Sequence, residues 1–354
     1  MVGKVIFVIY NQKMRSYYID ILKAFAIFLV ILGHNPLCSN VVKQWIYTFH
    51  MPVFFAAYGL AYDMDKHYQR GFLNSMFIVQ KAKRLLLPAI LWALIYASLE
   101  IKKIILILYG SQQSLRTAGS LSSIWFLPCM FLSVLIVEVV MLTLNKLFKG
   151  KHGINISIFC LSIGFSLIAY FIPSSNNYPW SINIVPMACS FMLVGYLLQK
   201  IIKNVKKFNN GDIFIWALVF ILSFAVLTST YKYNLVYINI NNVDMASGTY
   251  GNYILYMLDA SCGIMMLIAL AVFTAFLQKS KLALYIGRNT LSLFLIHNFV
   301  YKIVALILQS IGMFSSIIYI PITVIVVIIC CTISKVIDII LPSAIGNVSK
   351  IGGK

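Results

Sequence analysis

The chain has 354 residues, 61% of them hydrophobic and only 10% charged, with a formal net charge of +19. A mean hydropathy of +0.90 excludes a soluble domain and points to an all-α, polytopic membrane protein. The positive charge does not mark a nucleic-acid partner, because Lys and Arg are spread over short connections between apolar runs and form no long basic arm.

Val5 to Tyr10 is too short for the apolar core of a signal peptide, and the first long run, about residues 17–38, lacks a small-residue cleavage site. That run is expected to be retained. It carries Asp20, Lys23 and His34, and at a turn of about 100° per residue positions 20, 23, 27, 30 and 34 share one helix face. Lys23 and His34 are then about 16 Å apart along the axis, one near each membrane face. A polar stripe at membrane depth marks a functional site by default, although Asp20 and Lys23 also fit a plain i,i+3 pair at a snorkelling helix start.

Windows of roughly 20 residues give ten spans. They lie near 17–38, 45–62, 85–101, 122–144, 154–172, 181–199, 213–230, 253–277, 284–307 and 314–341. Of the 28 Lys and Arg residues, nineteen fall in connections on the side of the N-terminus and five on the other, these being Lys43, Lys102, Lys103, Arg116 and Lys232. Both termini are therefore expected to be cytoplasmic. No repeat and no separately folding segment interrupts the chain, so residues 1–354 are read as a single membrane domain. The cysteines, Cys38, Cys129, Cys160, Cys189, Cys262, Cys330 and Cys331, have no metal-site or disulfide spacing.

Two connections stand out. The inner one, Asp63 to Arg84, mixes Phe72, Leu73, Met76, Phe77 and Ile78 with basic residues, so part of it is expected along the interface. The outer one, Tyr231 to Asn252, is rich in Tyr and Asn, which suits contact with a sugar. An aromatic belt beside an ordinary loop accounts for it more simply.

The topology assigns depths to the histidines. His34, His50 in FHMPVFF and His297 in LSLFLIHN come to similar depths in the outer half, from three different spans. Three at one depth point to chemistry more strongly than a lone core histidine does. His67 and His152 fall in basic inner loops and are read as solvated. At the inner level stand Lys23 and the KAKR segment. Lys81 and Lys83 read as topology determinants, while Arg84, at the apolar boundary, has a guanidinium suited to phosphate.

These residues resemble the membrane-bound acyltransferase family 3, whose signature has Arg or Lys followed after ten residues by His, here Lys23 and His34. Further matches are FHMPVFFAAYGL at 49–60, Lys81 and Arg84 spaced like an RxxR pair, WFLP at 125–128, VGYLL at 194–198 and IGRNTLSLFLIH at 286–297. Two departures are Tyr58-Gly59, where Ser-Gly is common, and Lys23 in place of the commoner Arg. The resemblance implies a ten-span O-acyltransferase of a cell membrane, the inner or cytoplasmic membrane of a bacterium. Such an enzyme moves an acyl group, commonly acetyl, from acyl-CoA to a surface or lipid-linked saccharide. Acyl-CoA would be a co-substrate with no permanently bound cofactor and no metal, the partners would be the saccharide and the bilayer, and assembly into a homo-oligomer stays open.

In that scheme His34 is the general base. Asp20 and His297 complete the catalytic candidates, with Asp20 paired to Lys23. Lys23, Arg84 and Lys81 hold the anionic CoA, and His50, Trp125 and Arg288 contact substrate. A transporter or flippase of a lipid-linked or acidic glycan is the rival class, since polar stripes and intramembrane charges suit transport too.

Overall fold

The computed structural model describes residues 2–71, 74–97, 100–148, 150–203, 210–234, 243–274, 277 and 279–347, with backbone alone at 2–16, 200, 201, 203 and 210–212. Outside the described side chains lie Lys4, Lys13, Arg15, Lys149, Lys200, Lys203, Lys206, Lys207, Lys350 and Lys354, together with Phe72, Leu73 and residues 235–242 of the Tyr231–Asn252 connection.

The described residues form fifteen α-helices and no strand. In order they are α1 (Val2–His34), α2 (Asn40–Tyr47), α3 (His50–Ala61), α4 (Met64–Arg70), α5 (Ser75–Tyr96), α6 (Ile101–Tyr109), α7 (Gln112–Thr117) and α8 (Phe126–Leu147). They continue as α9 (Lys151–Phe171), α10 (Val185–Lys203), α11 (Asn210–Thr230), α12 (Tyr253–Phe273), α13 (Lys281–Arg288), α14 (Thr290–Ser310) and α15 (Tyr319–Ile340). Short 3-10 turns punctuate them, among them Ser122–Trp125 just before α8 and Pro342–Ile345 just after α15.

Eight segments of the described residues are helical, long and apolar enough to cross a membrane. The expected second and third spans take other forms. Residues 45–62 are divided at Thr48 and Phe49 into α2 and α3, and α3 has only 12 residues. Ser39 caps α2 by accepting the Val42 N–H, and the short helix buries Ile46 while exposing Val41, as an interfacial helix does. The third expected span is α5, whose 22 residues begin ten positions earlier than hydropathy suggests, at the Asn74 cap, and include Lys81, Lys83 and Arg84. In the Asp63–Arg84 connection, α4 is short and capped by Asp63, and it packs against α8.

Because α3 is short, its place depends on close approach to α10. A Cβ at Gly59 would sit 1.8 Å from the Met192 carbonyl oxygen, and one at Gly195 would sit 2.1 Å from that of Ala56. Only glycine lets the two backbones touch here, the way small residues pack membrane helices. The resulting core is buried on all sides: Phe49, Phe55, Phe191 and Tyr256 are each fully enclosed. Around it α9, α11 and α15 present apolar surface outward, for example Phe159, Ile221 and Ile328.

Gly195→Leu is therefore expected to remove most of the monodisperse folded protein in detergent size-exclusion chromatography. Gly164→Leu, at an α9 position with nothing within 4 Å, should leave the yield close to wild type. Equal yields for the two variants would contradict the close crossing.

Candidate active site

The polar stripe of α1 divides between the two ends of the bundle. At the basic end Asp20 accepts from Lys23 Nζ at 3.1 Å and from Arg288 Nε at 2.9 Å. Its carboxylate is nearly enclosed, whereas the Arg288 side chain is 54% exposed. Gly287 allows the contact, since a Cβ there would lie 1.9 Å from the Asp20 carbonyl oxygen.

Beside this pair opens a cavity of about 340 Å³ lined by Lys23, Lys81, Arg84, Arg288, Tyr58 and Phe126, among others. Lys81 lies over the rings of Tyr58 and Phe77, at 5.0 and 5.2 Å. Among the described residues neither Lys81 nor Arg84 forms an ion pair, so two cations face the cavity without a paired carboxylate.

One carboxylate at this end escapes sequence reasoning. Glu138 is buried in α8, where it accepts from the Tyr62 hydroxyl at 2.9 Å and pairs with His67 Nδ1 at 2.5 Å. His67 and Tyr62 both line the cavity. His67 is thus not solvated as its basic neighbours suggest; α4 folds beneath α8 and leaves the side chain 12% exposed. The available signal was a lone glutamate inside the apolar run FLPCMFLSVLIVEVV, an expensive placement unless paired.

At the opposite end His34, His50 and His297 come together. The His34 and His297 ring centroids are 5.0 Å apart, and Tyr47 sits 6.4 Å from His34 and 5.0 Å from His50. Each imidazole meets a backbone carbonyl through Nδ1: His34 to Val30 at 2.9 Å, His50 to Ile46 at 3.0 Å, and His297 to Phe294 at 2.7 Å. A carbonyl oxygen can only accept, so in every ring Nδ1 carries the proton and Nε2 of the neutral ring keeps its lone pair. His50 and His297 are buried, and His297 Nε2 has no hydrogen-bond partner among the described residues. His34 is half-buried and is the most accessible of the three.

Asn35, a second residue missed in the sequence, pins the end of α1 beside His34. Fully buried, it donates to the Tyr319 carbonyl at 2.8 Å and to Thr323 Oγ1 at 2.9 Å, and so ties α1 to α15. Between the two ends runs an aromatic wall. Phe54 and Phe126 are 6.2 Å apart, Phe126 and Phe294 5.7 Å, and Phe294 lies 6.0 Å from His297. All three phenylalanines line the cavity, so its wall reaches the histidine cluster.

A family model described as an acyltransferase domain matches residues 16–335. The chain belongs to acyltransferase family 3. No curated protein and no solved structure matches it.

Within this acyltransferase the candidate residues divide by position. Lys23, Arg84, Lys81 and Arg288 share the basic cavity, and Asp20 binds two of them. Asp20 stands fourteen residues before His34 in α1, roughly 21 Å along the axis, so the catalytic candidates do not form one cluster. Nor do the three substrate candidates: Arg288 is at the basic end, and His50 is with the other histidines. Trp125 is buried in the 3-10 turn before α8, where Ser123 accepts from Asn298, the neighbour of His297, at 3.4 Å.

Replacing Asp20 leaves two cations without their carboxylate, one of them well covered. Asp20→Asn is expected to lower stability by on the order of 2 kcal/mol, and Arg288→Gln by under about 1 kcal/mol because Arg288 is half exposed. Thermal unfolding of the purified variants measures both. A larger loss with Arg288→Gln would overturn this ranking.

Proposed function

We propose that this acyltransferase moves an acyl group, most simply acetyl, from cytoplasmic acyl-CoA to a hydroxyl of a surface or lipid-linked saccharide, and that donor and acceptor enter from opposite ends. The observation that carries the reading is the pairing of a cation-lined cavity with three imidazoles whose Nε2 atoms are free to accept a proton, joined by one aromatic wall. Lys81 and Arg84 suit the phosphates of the donor, Arg84 through its planar fork. Lys23 and Arg288, already held by Asp20, add positive potential without a full free charge.

His34 serves as general base. Its Nε2 takes the proton of the acceptor hydroxyl while the oxygen attacks the thioester carbonyl carbon. The C–O bond forms, the C–S bond breaks, and the thiolate leaves as the imidazolium returns the proton to sulfur. The Val30 carbonyl holds Nδ1–H and fixes the ring, the task a carboxylate or carbonyl performs for other catalytic histidines. His297, 5.0 Å away and neutral on Nε2, stabilises the charge that develops on His34.

For topology we place the basic end in the cytoplasm, with α3 and α5 completing ten crossings and both termini inside. The excess of Lys and Arg on that side supports this. A reporter fused after Lys354 should read cytoplasmic and one inserted after Gly119 external. Finding both on one side would remove the ten-crossing arrangement.

The chemistry is tested with labelled acetyl-CoA and saccharide acceptors. His34→Ala should slow ester formation by about 10²- to 10⁴-fold while protein yield and donor binding stay near wild type. Arg84→Gln should instead raise the apparent KM for acyl-CoA more than that for the acceptor. Wild-type specific activity in purified His34→Ala protein would transfer the base role elsewhere, and absence of any labelled ester from the wild type would favour transport.

A further inference from the structure

The acyl-transfer mechanism leaves the buried Glu138 and its partners without a task. A carboxylate inside an apolar span is costly unless paired, and this one is paired twice, with the Tyr62 hydroxyl at 2.9 Å and with His67 Nδ1 at 2.5 Å. The two partners arrive from different elements. Tyr62 directly follows α3, and its carbonyl accepts from the buried Gln199 side chain at 2.7 Å. His67 is carried in by α4, a seven-residue helix that packs on α8 and buries none of its residues fully. Glu138 does not line the basic cavity, but Tyr62 and His67 both do. The carboxylate thus stands behind the wall, and its partners form the wall.

Around His67 that wall is cationic. Its ring lies 4.2 Å from that of Tyr62 and 5.7 Å from that of Phe77. The same Phe77 ring carries Arg70 at 5.0 Å and Lys81 at 5.2 Å, and Lys81 also covers Tyr58. His67 is therefore the neighbour of Lys81, which faces the cavity without a paired carboxylate among the described residues. Because Nδ1 is taken by Glu138, the ring atom left for a ligand is Nε2. An imidazole with protons on both nitrogens holds the carboxylate through one and donates to an anion through the other.

We propose that His67 is a phosphate contact of the donor cavity, positioned by Glu138 and acting beside Lys81 and Arg84 on acyl-CoA. The proposal rests on the acyl-transfer reading above and names a further binding residue for its donor. CoA carries a diphosphate and a separate phosphate ester, more negative charge than Lys81 and Arg84 match alone. A bare glutamate beside such a ligand would repel it. With His67 in front, Glu138 instead fixes the ring and compensates its charge.

Calorimetric binding of CoA to the purified full chain in detergent tests this without turnover. His67→Ala is expected to weaken CoA binding roughly 5- to 50-fold and to flatten its dependence on salt, since a charged contact is gone. His67→Gln separates binding from folding: its amide N–H can still pair with Glu138, but it carries no charge. The expected result is a melting temperature near wild type with CoA affinity as weak as in the alanine variant. If glutamine restores affinity together with melting temperature, His67 only satisfies Glu138, and the phosphate contact is overturned. Wild-type CoA affinity in His67→Ala overturns the contact too, and in both cases the donor reading survives. Glu138→Gln should weaken CoA binding only while His67 is present, and additive losses in the double variant overturn the positioning role. A wild-type protein that binds no CoA overturns this contact and the donor reading together.

Discussion

Asp20 joins two helices that are distant in sequence. Its carboxylate holds Lys23 on its own helix and Arg288 at the end of α13, and Gly287 brings the two backbones into contact. Arg288 is followed within two residues by α14, so this joint sets the level at which α14 starts beside α1. Higher up, His34 and His297 meet at 5.0 Å. A slip of one helical turn, about 5.4 Å, would part the rings entirely. Asn35 fixes the same end of α1 from the side of α15. The imidazole pair is thus held by contacts at Asp20, midway along α1, and at Asn35, just past its end, rather than by its own interaction.

The rest of the bundle keeps charge and lone pairs apart. Cations line a cavity at one end, and a buried carboxylate, Glu138, is matched there by Tyr62 and His67. At the other end the histidines spend their N–H groups on carbonyls of their own helices. Among the described residues no carboxylate pairs with these three imidazoles, and all three are arranged to accept a proton. The aromatic wall of Phe54, Phe126 and Phe294 runs between these environments and links the cavity to the histidine cluster.

Much of the site could be read from local pattern. The stripe on α1 follows from helical spacing, and the common depth of His34, His50 and His297 follows from counting residues along alternating spans. Hydropathy could not show the break at Thr48 and Phe49, since both sides of it are apolar, nor that α3 is short and depends on Gly59 and Gly195. The partners of charged groups were hidden for another reason. Arg288 is 268 residues from Asp20 and His67 is 71 from Glu138, so neither pair leaves a local signature. Composition around His67 suggested solvent, and the fold turned it toward the lone buried glutamate. Asn35 beside His34 was likewise silent, because its partners are on α15.

The central claim is that donor and acceptor approach the histidines from opposite membrane faces. Sealed proteoliposomes of known orientation, with labelled acetyl-CoA on the side of the basic cavity and saccharide confined to the other, test it directly. The expected result is labelled ester on the saccharide side only, with none when both substrates are on the saccharide side. Ester formed only when both substrates share one compartment would contradict the account.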